Sequence, residues 1–169
     1  MLATVPATIA GYTDWRWRRI PNWLTVPGVV LGIAVNSVAG GWPGAKASLL
    51  GAGLGLAILL PFVVIRSLGA GDWKLAGALG AFLGPQRLLA VLFVTAVIAG
   101  VMAVILIVWK RRMTETLRNM WRILAAFLAL HLPDSEMTLE NPKALKVPFG
   151  VALAVAVILY TAARGWGIA

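Results

Sequence analysis

The chain has 169 residues, of which 60% are hydrophobic and 12% charged, and its mean hydropathy is +0.88. These values exclude an ordinary soluble domain, and apolar runs without polar alternation exclude a transmembrane barrel. The net charge is +9, but Lys and Arg cluster beside the apolar runs, where they set membrane orientation, so no nucleic-acid partner is expected.

The length suits one domain over residues 1–169, and the runs identify an all-α, polytopic membrane protein with the lipid bilayer as its partner. Met1 to Thr13 is apolar and short. It lacks a basic n-region and leads straight into Asp14, so no cleavable signal peptide is expected. Three Arg and three Trp alternate from Asp14 to Trp23, as in an interfacial belt, and Pro21-Asn22 should end one helix and begin the next. Trp23 to Val38 forms a second span, Gly40 to Gly44 a turn, and Ala47 to Ile65 a charge-free third span with small residues for close helix packing.

Arg66 to Gly71 reads as a loop, followed by a short fourth helix from Trp73 to Leu83 that ends at Gly84-Pro85. Leu88 to Trp109 supplies 22 uncharged residues and is the strongest span. Residues 110–146 form a polar cytoplasmic loop. Within it Leu117, Met120, Trp121, Leu124, Phe127, Leu128 and His131 recur at helical spacing, which predicts an interfacial amphipathic helix over 117–132. Val147 to Ala163 is the last span. The expected total is about six transmembrane helices, the first and fourth short.

Orientation follows from the cations. With six spans, Arg16, Arg18, Arg19, Arg66, Lys74, Lys110, Arg111, Arg112, Arg118, Arg122, Lys143 and Lys146 fall on one side. Only Lys46, Arg87 and Arg164 fall on the other. The richer side is the cytoplasmic one.

The acids are distributed differently. Of six acidic residues, Glu115, Asp134, Glu136 and Glu140 share one polar interval, leaving Asp14 and Asp72 among the apolar segments. A carboxylate at the margin of hydrocarbon is costly and marks a functional site. Both face the cytoplasm in the six-span arrangement.

Two neighbouring carboxyl groups can share a proton, one activating water and the other protonating a peptide carbonyl. This chemistry needs no metal, cofactor, thiol or serine triad, and with no Cys a cysteine nucleophile is excluded. Gly69 and Gly71 beside Asp72 would let a substrate backbone approach closely. Asp72 also suits a helix N-cap. Lys74 reads either as an interfacial lysine or as a charge that biases the acid pair.

With Asp-x5-Ile-Pro-Asn-x-Leu-Thr at Asp14–Thr25, Gly-x-Gly-Asp-x-Lys at Gly69–Lys74, and Pro-Phe-Gly at Pro148–Gly150, the chain resembles the prepilin peptidases. These are intramembrane aspartyl proteases of the Gly-x-Gly-Asp type. The resemblance implies that Asp14 and Asp72 are catalytic. It implies supporting positions at Pro21, Asn22, Gly69, Gly71, Lys74, Pro148, Phe149 and Gly150. It also implies cytoplasmic cleavage of a basic leader, after Gly, from a type IV prepilin at the bacterial inner membrane. Some members also N-methylate the product and carry a cytoplasmic segment with paired cysteines. This chain looks like the short, peptidase-only form associated with Flp/Tad-type pili, so no methyltransferase activity is expected. Preflagellin or pseudopilin leaders are alternative substrates. The competing class is a non-catalytic transporter or assembly scaffold that uses its acids for proton binding or packing.

Overall fold

The structure, a computed structural model, describes residues 2–17, 20–110, 121 and 148–166. Apart from Lys110 and Trp121, the loop over 110–146 and its amphipathic helix lie outside the described residues. The described elements are all helices: α1 (Thr4–Trp17), α2 (Asn22–Val64), α3 (Ala70–Leu83), α4 (Pro85–Trp109) and α5 (Phe149–Gly165).

The helix boundaries follow local chemistry, with three departures from the sequence reading. First, α1 continues through Asp14 to Trp17. Neither Pro nor Gly lies between Asp14 and Trp17, so the helix runs on through this stretch and Asp14 falls inside it. Pro21, with φ −74° and ψ 143°, then caps α2.

Second, the turn expected over Gly40–Gly44 shrinks to one residue. Gly41 has φ 58° and ψ −144°, a conformation essentially confined to Gly. Helix resumes at once, because Pro43 stands in the first turn of the second arm, where a missing N–H breaks no hydrogen bond. The 43 residues of α2 thus form a hairpin with arms of about 28 Å and about 34 Å. Asn36 on the first arm donates to Ser48 Oγ on the second at 2.8 Å.

Third, α3 begins at Ala70 rather than Trp73, capped by Gly69. It is only about 21 Å long, yet it is the helix around which the others pack. Leu75, Ala76, Ala78, Leu79 and Ala81 are fully buried. The seat is made of small residues. The backbones of Gly51 and Gly80 touch, a Cβ on Gly32 would fall 2.9 Å from Ala81, and one on Gly55 would fall 2.7 Å from Ala76 O. Asn36 and Ser48 both donate to Ala81 O, at 2.9 Å and 2.7 Å, and so tie the α2 hairpin to the far end of α3. Between helices in lipid, such close packing and hydrogen bonding replace the hydrophobic effect.

α1 lies against α5, where Gly11 meets Ala154, and Ala7, Ala10, Leu153, Ala156 and Val157 fill the joint. α4 closes the bundle with Leu88, Val91 and Thr95 inward, leaving Phe93, Val97, Val101 and Val104 exposed. Among the described residues, α2 and α4 are long and apolar enough to cross a membrane, and α5 is apolar but shorter.

Candidate active site

Three pieces of chain converge at one end of the bundle: the last turn of α1 with its exit through Ile20, the first turn of α3, and the first turn of α5. Each is held by its own local structure. Asp14 is buried within α1 at 7% exposure, beside the joint with α5. Asp72 is the third residue of α3. There its charge favours the helix dipole, and its carboxyl group faces back toward the N–H of the capping Gly69. Asp72 is therefore not the N-cap itself.

Gly150 is the meeting point. A Cβ there would fall 3.0 Å from both Cβ and Oδ2 of Asp14 and 3.0 Å from Cδ1 of Ile20. The Asp72 carboxyl also faces the Gly150 N–H and lies close enough to Asp14 for the two charges to interact. One glycine at the start of α5 thus stands against both acids. Asp72 Oδ1 is buried without a hydrogen-bond partner among the described residues. An acceptor in that state costs free energy unless a donor such as water or substrate reaches it.

The remaining positions singled out from the sequence lie around this point. Gly69 caps α3, and a Cβ on it would fall 3.0 Å from Asp72 Oδ2. Gly71 faces Ile20, whose Cβ would be 3.1 Å from an added Cβ. Asn22 opens α2, and its Oδ1 accepts from Lys74 Nζ at 3.0 Å. Pro21 and Pro148 cap α2 and α5. Phe149 packs against the apolar core.

Two contributors were not singled out from sequence. Ile20 wedges between Gly71 and Gly150 and so spans the mouths of α3 and α5; its place directly before Pro21-Asn22 was the available signal. Trp73, next to Asp72, donates from Nε1 to Leu56 O at 2.7 Å and anchors the first turn of α3 to the second arm of α2. Nothing local in the sequence distinguishes its indole from those of tryptophans that sit at a membrane interface.

Residues 1–104, which include both acids and both of their motifs, match the type IV leader peptidase family. The chain belongs to that family. It is accordingly a peptidase, a membrane protein, and one whose substrates are of the prepilin type. The Pro148–Gly150 segment lies beyond the matched residues; the resemblance implied a supporting role for it, and the fold sets Gly150 directly against Asp14. Comparisons with curated proteins and with solved structures gave no match.

Proposed function

We propose that this type IV leader peptidase is an aspartic endopeptidase that removes the basic leader of Flp-type prepilins, with Asp14 and Asp72 as its acid pair. The observation that carries the reading is the gathering of both carboxyl groups on Gly150. Two groups so placed hold one proton between them. The ionised carboxylate takes a proton from water as the water oxygen attacks the scissile carbonyl carbon. The protonated carboxyl donates to the carbonyl oxygen, and collapse of the tetrahedral intermediate sends a proton to the departing amine. The hydrogen bond between Lys74 and Asn22 holds the two motifs in register. Gly69 and Gly71 leave room for the substrate backbone, and Pro21, Pro148 and Phe149 set the ends of the helices that frame it.

Topology supports the same reading. We read α1, the two arms of α2, and α3, α4 and α5 as six membrane segments, with α1 and α3 short. In this reading Asp14 and Asp72 lie at the face with most of the Lys and Arg, the cytoplasmic face of the inner membrane. Short helices hold their ends below the headgroups or thin the bilayer, and either outcome admits water to the acids.

The test is cleavage of a co-expressed prepilin followed by gel shift. Asp14→Asn and Asp72→Asn should each reduce cleavage by roughly 10³-fold, consistent with loss of a general acid or base. Each variant should stay folded in the membrane. Cleavage at the wild-type rate by either variant removes that residue from the mechanism.

A further inference from the structure

At the end of the bundle opposite the two aspartates, the start of α1, the first arm of α2, the end of α3, the start of α4 and the end of α5 surround a cavity of about 570 Å³. Its apolar wall comes from Leu2, Val35, Phe82 and Leu83, and its polar rim from Arg87, Tyr160, Thr161 and Arg164. A smaller cavity beside Gly44 and Pro85 shares Asn36, Phe82, Leu83 and Arg87 with it, so Arg87 borders both.

The charge here is unexpected on two counts. In the six-span arrangement only Lys46, Arg87 and Arg164 lie on this side of the membrane, and two of these three line one cavity. Among the described residues no carboxylate lies beside them, since the acidic side chains there are Asp14 and Asp72, at the other end. Arg87 also stands in the first turn of α4, where a cation opposes the helix dipole. An anion between the two guanidinium groups would offset both costs, and Arg is suited to binding phosphate through paired N–H donors.

We propose that this cavity binds the headgroup phosphate of an anionic phospholipid, with Arg87 and Arg164 on the phosphate and the lipid's apolar portion against Leu2, Val35 and Phe82. The apolar wall favours an amphiphile over free phosphate, and a pair of cations with no carboxylate beside it among the described residues favours an anionic lipid over a zwitterionic one. Bound lipid would bridge α4 to α5 at the end remote from the acids, and would stabilise the bundle without touching them.

The experiment uses the full chain, purified and delipidated in a non-ionic detergent. Native mass spectrometry and thermal unfolding are recorded with phosphatidylglycerol, phosphatidylcholine or inorganic phosphate. Phosphatidylglycerol should be retained and should raise Tm, whereas phosphatidylcholine and millimolar phosphate should do neither. Arg87→Gln/Arg164→Gln should lower retained phosphatidylglycerol at least fivefold and abolish the Tm rise. Arg16→Gln/Lys110→Gln, which removes equal charge at the other end of the bundle, should leave both unchanged. Equal retention of the two lipids, equal loss in the control variant, or equal protection by inorganic phosphate overturns the proposal. Should the double arginine variant fail to fold, a photoactivatable phosphatidylglycerol decides on the wild-type chain. Labelling at the start of α4 and the end of α5 supports the site, and labelling confined to other segments refutes it.

Discussion

Lys74 and Asn22 lie 52 positions apart in the chain, yet the lysine ammonium donates to the Asn22 amide oxygen at 3.0 Å. Each residue belongs to a motif that carries one of the two acids, so this bond fastens the first turn of α3 to the first turn of α2. Sequence alone left Lys74 as either an interfacial lysine or a charge that biases the acids. The fold gives it a positioning contact.

Removing that contact should loosen the acid pair without unfolding the bundle. Asn22→Ala and Lys74→Met should each lower kcat about fivefold, equivalent to about 1 kcal/mol for one hydrogen bond to a charged group that is partly exposed. Because both variants break the same bond, the double variant should be no worse than the poorer single one. Strictly additive losses, measured by leader-cleavage kinetics, would show that the two residues act separately.

Gly150 should tolerate no side chain. Gly150→Val would drive its Cβ into Asp14 and Ile20, each 3.0 Å away, and separate the acids. Cleavage should fall at least 100-fold, since small misplacements at a reacting centre are costly. Membrane insertion and monodispersity on size exclusion should persist. Gly53, whose added Cβ would meet nothing within 4 Å, serves as control: Gly53→Ala should leave activity intact and stability equal or slightly higher.

The far end of the bundle should report on stability instead. Asn36→Ala removes the donor to Ser48 Oγ and Ala81 O, and should cost about 1–3 kcal/mol. The measurable result is a lower Tm in detergent, with leader cleavage well below that Tm nearly unchanged. A large loss of cleavage without a Tm change would contradict this division between the two ends.

Gly41 offers a second stability test. Its φ of 58° and ψ of −144° are strained for any residue with a Cβ, so Gly41→Ala should destabilise by about 1–3 kcal/mol. The space around it is open, so the cost is conformational and not steric. Gly41→Val should therefore be comparably destabilised, with no additional clash.

Hydropathy and cation placement made the helical class and the membrane setting legible from sequence, and two short motifs pointed to the two acids as candidates. These are local or compositional properties: an apolar run needs no partner to be apolar, and a carboxylate near hydrocarbon is costly whatever surrounds it. The extent of α1 past Asp14, the one-residue break at Gly41 and the early start of α3 were less legible, because packing overrides weak local preferences at helix ends. The convergence of Asp14, Asp72 and Ile20 on Gly150, the bond between Lys74 and Asn22, and the two arginines around one cavity were decided by tertiary structure alone. Helices approach one another only as closely as their facing side chains allow. Glycines such as Gly11 and Gly51 acquire meaning only once the opposing Ala154 and Gly80 are in place.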